Sequence, residues 1–290
     1  MTKPTNSKLD VTHTPRRSAL FRLLEFYGTR MHHRGQWRLH TLLRQILKPD
    51  VDADYQVTRG GLRWQLNPSD FVQADLFWFG RKDYWETYHL CRLLRQGSVL
   101  FDIGANIGYY GITLAATLGN ECRVYAFEPF PATYEVLVTN IALNGLTETI
   151  SAHRQALSDR ERVARMRTRV GSNSGSARLD TAGESISTTT IDIFCSTHSI
   201  DRLDFVKIDA EGHEEFILAG GAQTIRQHRP LILLELDPPL LNDAGSSVER
   251  VVSLLRSHGY TLRTARRNTL VPMETLPAGR VVVNAFAFPR

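Results

Sequence analysis

The stretch SVLFDIGANIGYYG, Ser98–Gly111, constrains the fold more than any other part of the chain. An apolar run stops at an acid, Asp102, crosses Gly104 and Gly108, and opens into a helix of small and apolar residues. A strand that turns through glycines into a helix is half of a β–α–β unit, and such units build a parallel sheet with helices on both faces. The text beyond keeps that rhythm. Strands are expected at 98–102, 123–127, 149–154, 204–209, 231–235, 260–264 and 280–287, with helical patterns at 131–143, 214–228 and 247–258. The stretch 168–189 breaks the alternation. It is rich in Gly, Ser and Thr and reads as a long loop or irregular hairpin, the kind of segment that often serves as a lid or binding loop.

Upstream, residues 1–17 are polar and rich in Pro and Thr, and read as a disordered tail. Residues 18–47 show helical periodicity, with Leu20, Leu23, Leu24 and Tyr27 in one stripe and Leu39, Leu42, Leu43, Ile46 and Leu47 in a second. Gly28 and Gly35 divide this stretch into two helices. YQVTRGGLRWQL reads as a β-hairpin turning on Gly60-Gly61. DLFWFGRKDYWETYHLCRLLRQG reads as one aromatic-rich helix ending at Gly97, with Phe77, Trp78, Phe79, Tyr84 and Trp85 as core. The expected divisions are a tail, 1–17, a basic helical and hairpin extension, 18–96, and the α/β domain, 97–290.

Charge is unevenly placed. The first fifty residues carry 10 Lys/Arg against 3 Asp/Glu, and the remaining 240 carry 25 against 27. A basic arm can meet nucleic acid, anionic lipid or an acidic substrate, or form a solvated face. The near-neutral body lacks the excess needed to track a phosphate backbone, which argues against a nucleic-acid partner. Peripheral membrane contact through residues 18–48 stays open. Cys91, Cys122 and Cys195 are scattered and form no C-x-x-C pair, so neither a disulfide framework nor a zinc site is expected. No apolar run reaches the roughly 18 residues of a membrane span. The N-terminus lacks the apolar core of a signal peptide, and a cytoplasmic location is expected.

In a doubly wound sheet the ligand sits beyond the C-terminal strand ends, where Asp102 and its loop fall. The spacing is D-x-G-x-N-x-G, not the G-x-G-x-x-G of a dinucleotide site, and no G-K-[ST] follows to make a P-loop. Asp102 would repel a phosphate and favour a ligand with positive charge, and S-adenosylmethionine, with its ammonium and sulfonium groups, fits. The next strand ends VYAFEP, placing Glu128 twenty residues after Gly108, a spacing at which an acid can accept both ribose hydroxyls.

With FDIGANIGYYG (101–111), AFEPFPATYEVLVTNIALNG (126–145), ALSD (156–159), DFVKIDAEGHEEFILAGG (204–221) and PLILLEL (230–236), the sequence resembles the FkbM family of S-adenosylmethionine-dependent methyltransferases. The likeness covers about residues 55–290, and K-I-D-x-E-G is its most specific element. The arm, 1–50, lies outside it. The resemblance implies a class I methyltransferase fold: Rossmann-like, doubly wound, seven-stranded, with an antiparallel last strand. It implies methyl transfer, usually to a hydroxyl of a sugar, glycan, lipid or secondary metabolite. The cofactor-binding candidates are then Asp102, Gly104, Ala105, Asn106 and Gly108 in the loop, Glu128 and Pro129 after the second strand, and Ala156, where an adenine would pack.

A hydroxyl acceptor must lose its proton to a carboxylate, His or Lys, or to metal-assisted chemistry. In a strand, Lys207, Asp209 and Glu211 would point the same way. Asp209 is the first candidate base, Glu211 the second and His213 the third, while Lys207 keeps the carboxylates ionised. Lys207 and Glu211 can equally be a structural ion pair. Asp209, Glu235 and Asp237 could gather around Mg²⁺, since an all-oxygen set suits a hard cation. DPPL (237–240) resembles the D/N-P-P motif of amino-group methyltransferases, but it follows the fifth strand and ends in Leu240, so it reads as a turn and favours an oxygen acceptor. Two rival functions remain: an RNA methyltransferase using the basic arm, and a non-catalytic docking protein on this fold.

Overall fold

The computed structural model describes residues 18–31, 35–47, 53–119, 121–168, 177–180 and 183–290, so the expected tail at 1–17 lies outside the described residues. Helices α1 (Ala19–Arg30) and α2 (Gln36–Leu47) come first, α1 opening on Ser18, whose hydroxyl accepts the Phe21 N–H. Gly28 stays inside α1 instead of ending it. A Cβ there would strike the Trp78 carbonyl, so glycine admits a close helix contact. Strands β1 (Tyr55–Arg59) and β2 (Leu62–Leu66) pair antiparallel through Gly60-Gly61, both at positive φ as the two-residue turn requires.

The single aromatic helix expected up to Gly97 is two. Helix α3 (Phe71–Phe79) is capped by Asp70, which accepts the Val72 and Gln73 N–H groups, and it ends on Gly80 in the left-handed conformation. Helix α4 (Tyr84–Leu93) then restarts. Phe77 and Trp78 are buried core, whereas Tyr84 is exposed.

The chain then alternates through β3 (Val99–Ile103), α5 (Tyr109–Leu118), β4 (Arg123–Phe127), α6 (Pro131–Leu143) and β5 (Ile150–His153). Within 168–189, read as a long loop or irregular hairpin, 177–180 pairs antiparallel with the strand before it and 184–189 is also strand. Both belong to a second sheet, while 169–176 and 181–182 lie outside the described residues. The strands of that sheet are β6 (Ala156–Leu157), β7 (Arg162–Thr168), β8 (Ala177–Asp180) and β9 (Glu184–Thr189), in the order β6-β9-β7-β8. Rich in Arg, Ser and Thr, these strands carry little of the apolar alternation by which a strand is read. Helix α7 (Ile191–Thr197) returns the chain to β10 (Phe205–Ile208), followed by α8 (Glu214–Gly220), α9 (Ala222–His228) and β11 (Leu231–Leu236). The helix expected over 214–228 is thus interrupted at Gly221, where a Cβ would press on Ile191. Helices α10 (Pro238–Asp243) and α11 (Val248–Ser257) precede β12 (Tyr260–Arg266), β13 (Thr269–Pro272) and β14 (Val283–Pro289).

The main sheet runs β13-β12-β14-β11-β10-β3-β4-β5. The seven expected strands all form, with β14 antiparallel to both β11 and β12, and β13 adds an eighth at the edge as a hairpin partner of β12. Strands β5, β4, β3, β10 and β11 are parallel. From β3 the chain winds outward to β4 and β5, then returns to β10 and winds the other way. The switch between β3 and β10 opens a crevice at the carboxyl ends of the strands. Leu100, Val124, Phe205 and Leu233 face one core, which they share with Phe21, Trp64 and Trp78 from the N-terminal elements. Phe101, Phe127, Val206 and Ile232 face the other.

Candidate active site

Parallel register places Asp102 on β3 beside Lys207 on β10. The Lys207 ammonium donates to the Gly104 carbonyl at 2.7 Å and stands 3.3 Å from Asp209 Oδ2 and 3.7 Å from Asp102 Oδ1. Asp102 Oδ2 accepts the Gly111 N–H at 2.8 Å in the first turn of α5, and a Cβ on residue 111 would crowd that oxygen at 3.1 Å. The cation facing Asp102 is therefore an internal one. Asp102 stands behind the loop and is not among the residues lining the cleft; it ties strand, helix and lysine together. Burial raises its pKa, and Lys207 and the Gly111 N–H offset part of that rise.

The loop after β3 turns through left-handed Gly104, Asn106 and Gly108. Gly104 is the tightest position, because a Cβ there would lie 1.8 Å from the Asp209 carbonyl oxygen. The ends of β3 and β10 thus touch through backbone. Glu128, at the end of β4, accepts the Asn106 N–H on Oε2 and the Phe130 N–H on Oε1, both at 2.9 Å. Burial pushes its carboxyl up to about 7, against the pull of those two donors. Gly104, Ala105, Asn106, Glu128, Pro129 and Ala156 line one cleft of about 1180 Å³. Gly108 is not among its lining residues; a Cβ there would press on Leu137 and Ile112.

Lys207, Asp209, Glu211, His213, Glu235 and Asp237 line the same cleft. Burial alone would raise Asp209, but Lys207 and Lys82 outweigh it and hold the carboxyl below its usual range. Glu235, on the neighbouring strand, is pushed well above the carboxylate range, first by the charge of Asp209 and then by burial. The pair is thus split, with Asp209 ionised and Glu235 carrying a proton at neutral pH.

The expected alternation of Lys207, Asp209 and Glu211 does not reach Glu211. The strand ends at Ile208, and Glu211 sits in a turn with φ of 53°. That turn is held by a residue the sequence did not single out. Glu214 accepts the Ala210 and Gly212 N–H groups at 3.0 and 3.2 Å. His213 lies 3.0 Å from the Ser158 hydroxyl and stacks on Phe216, and burial lowers its pKa to about 4. Asp237 caps α10 by accepting the Leu240 N–H at 3.1 Å, so DPPL opens a helix where a turn was expected. Among the described residues no three His, Cys, Asp or Glu side chains gather into a metal-ligand set, and Asp209, Glu235 and Asp237 do not form one.

Sequence reasoning missed several residues of the cleft wall: Asp75, Lys82 and Tyr109 from the α3–α5 region, and Arg160, Arg162 and Met166 from β7 and the turn between β6 and β7. Tyr109 lies within FDIGANIGYYG, whose glycines and acid drew the reading; no motif marks the others, which reach the cleft by tertiary packing alone.

A switch point between β3 and β10, a glycine loop ending β3, an acid ending β4 and an antiparallel last strand define a class I, S-adenosylmethionine-dependent methyltransferase. The profile described as Methyltransferase FkbM domain matches residues 102–262, and the chain belongs to that family. The 31-O-demethyl-FK506 methyltransferase FkbM of Streptomyces tacrolimicus is 28% identical over 204 residues, covering 58% of this chain and 75% of the relative. The hexuronic acid methyltransferase AglP of Haloferax volcanii is 27% identical over 176 residues, covering 58% of this chain and 70% of the relative. Among solved structures, methyltransferase FkbM from Methylobacillus flagellatus KT aligns with a TM-score of 0.44 at 18% identity, over 74% of this chain and 52% of that one.

Proposed function

We propose that the chain transfers a methyl group from S-adenosylmethionine to a hydroxyl of a small polar acceptor, such as a sugar, glycan, lipid or secondary metabolite. One observation carries this reading: Glu128 and the Asp209–Glu235 pair line the same cleft, from the carboxyl ends of β4, β10 and β11 on the two sides of β3. Glu128 would accept the ribose hydroxyls, the Gly104–Asn106 backbone and Pro129 would hold the donor's polar end, and Ala156 would pack on its base. Bound there, the donor supplies an electrophilic methyl on a sulfonium.

Asp209 takes the acceptor hydroxyl's proton. Lys207 fixes the Asp209 carboxylate at 3.3 Å and keeps it ionised. Glu235 holds its own proton, so it does not compete for the acceptor's and can donate a hydrogen bond to the acceptor oxygen. Walls from α3, α10 and the second sheet keep water from the site and align the acceptor, and such alignment supplies much of the rate of a displacement. Of the two relatives, the 31-O-demethyl-FK506 methyltransferase supports an oxygen acceptor and the hexuronic acid methyltransferase a sugar-like one. The family match beginning at residue 102 supports a methyltransferase domain at 97–290 with 18–96 as its extension.

Titration calorimetry with S-adenosylmethionine against NAD, repeated on Glu128→Ala, tests the foundation. Heat is expected with the methyl donor alone, weakened in the variant. No heat with the donor, or equal heat with NAD, overturns the reading. An acceptor screen with and without EDTA then addresses the acceptor and any Mg²⁺ together.

A further inference from the structure

The two N-terminal helices turn apolar rows outward. On α1, Phe21, Leu24 and Gly28 pack inward, while Arg22, Leu23, Phe26 and Arg30 face solvent, with Leu23 63% and Phe26 60% exposed. On α2 the outward row is Arg38, Leu39, Leu42, Gln45 and Ile46, with Leu42 50% and Ile46 64% exposed. Most of the leucine stripe that periodicity picks out on α2 thus faces away from the core. A surface helix ordinarily shows the opposite arrangement, with polar residues outward.

Charge completes the pattern. Residues 18–47 contain five arginines and one acid, Glu25. Glu25 is engaged by Arg59 at 2.7 Å, within the fold. The outward rows therefore interleave leucine, isoleucine and phenylalanine with arginine and show no acid. A second copy of the chain on this face would set Arg22, Arg30 and Arg38 against their own equivalents, a like-charge juxtaposition that disfavours self-association. An anionic lipid surface answers both halves of the face, its headgroups meeting the arginines and its acyl boundary taking the apolar side chains. Among the described residues no helix is long and apolar enough to cross a membrane, so these helices would lie along the surface.

We propose that α1 and α2 form a docking face for an anionic membrane surface. The face is joined to the cleft. Phe21 of α1 packs on Trp78 of α3 with ring centroids 5.0 Å apart, and Phe71, Val72 and Asp75 of α3 line the cleft. A docked chain would hold its cleft at a fixed height above the lipid.

The test is flotation of the full chain with vesicles of phosphatidylcholine alone and of phosphatidylcholine with phosphatidylglycerol, at low and high salt. Two variants accompany it, L23N/F26N/L42N/I46N and R22Q/R30Q/R38Q, each checked by circular dichroism for an unchanged fold. Wild-type chain is expected to float only with anionic vesicles, less at high salt, and each variant to lose at least about tenfold in partitioning. Wild-type chain that stays unbound, or either folded variant binding as wild type does, overturns the proposal. So does sedimentation showing a wild-type dimer that the apolar variant converts to monomer, which would give the face to a second copy.

Discussion

Replacing Lys207 with methionine isolates the charge balance of the seam between β3 and β10. The lysine is 5% exposed and lies within 3.7 Å of Asp102 and 3.3 Å of Asp209. Removing one partner of a buried ion pair costs about 3–5 kcal/mol, because the other charge stays buried and unanswered. The Asp102 side chain is 4% exposed and has no recourse to water, whereas that of Asp209 is 31% exposed and can be partly hydrated. The low end applies, about 3 kcal/mol, or a Tm lowered by roughly 6–12 °C. The sign with pH follows from the same groups. In the wild type Asp209 is depressed, so its contribution is present above the ordinary carboxylate range and fades as pH falls through it. Without Lys207 both aspartates are raised in the folded state, which then binds more protons than the unfolded chain, and acid stabilises the variant. Urea unfolding at pH 8 and pH 5 should therefore show a large deficit for K207M at pH 8 and a smaller one at pH 5. K207M/D102N should recover part of the pH 8 loss. Equal midpoints at pH 8, or a deficit that grows in acid, would refute the assignment.

The other expectations concern donor, base and loop. Glu128, held up to about 7, is a better acceptor of ribose hydroxyls once ionised, so donor affinity measured by calorimetry should rise by up to about tenfold from pH 6 to pH 8 and lose that dependence in Glu128→Gln. Asp209→Asn should lower kcat by about 10²–10⁴-fold with donor affinity near wild type; a matching fall in donor affinity would mean the residue binds rather than takes the proton. Gly104→Ala sets a methyl 1.8 Å from the Asp209 carbonyl at a φ of 68°, and thermal unfolding should show a loss of at least about 3 kcal/mol.

What the sequence made legible follows the strength of local signals. Apolar runs stopped by glycine, proline or acidic residues mark β3, β4, β10 and β11 and their parallel order, because strands buried on both faces read as nearly unbroken hydrophobic text. The Gly60-Gly61 hairpin is equally plain, since both turn positions take positive φ, which glycine adopts without strain. The second sheet was not legible: most of its strand residues are polar, and they carry little apolar alternation. In the site, the types and order of the acids could be read, but not their partners. Asp102 was expected to meet a cationic ligand, yet the cation beside it comes from a strand 105 residues further on in the chain, and only parallel register brings the two together. Cleft residues such as Lys82 and Arg162 carry no local mark at all.

The backbone contact between Gly104 and Asp209 has a consequence for how such a chain can change its substrate. On the proposed function the loop after β3 holds the donor and the end of β10 carries the base, and their close backbone contact means that neither shifts without displacing the other. On the same reading the acceptor walls are of a different kind. They come from α3, from α10 and from the second sheet, all of them built outside the central parallel strands. Acceptor preference can therefore drift by rebuilding the walls around an unchanged reaction seam, and swapping those walls between relatives is the natural route to a new acceptor.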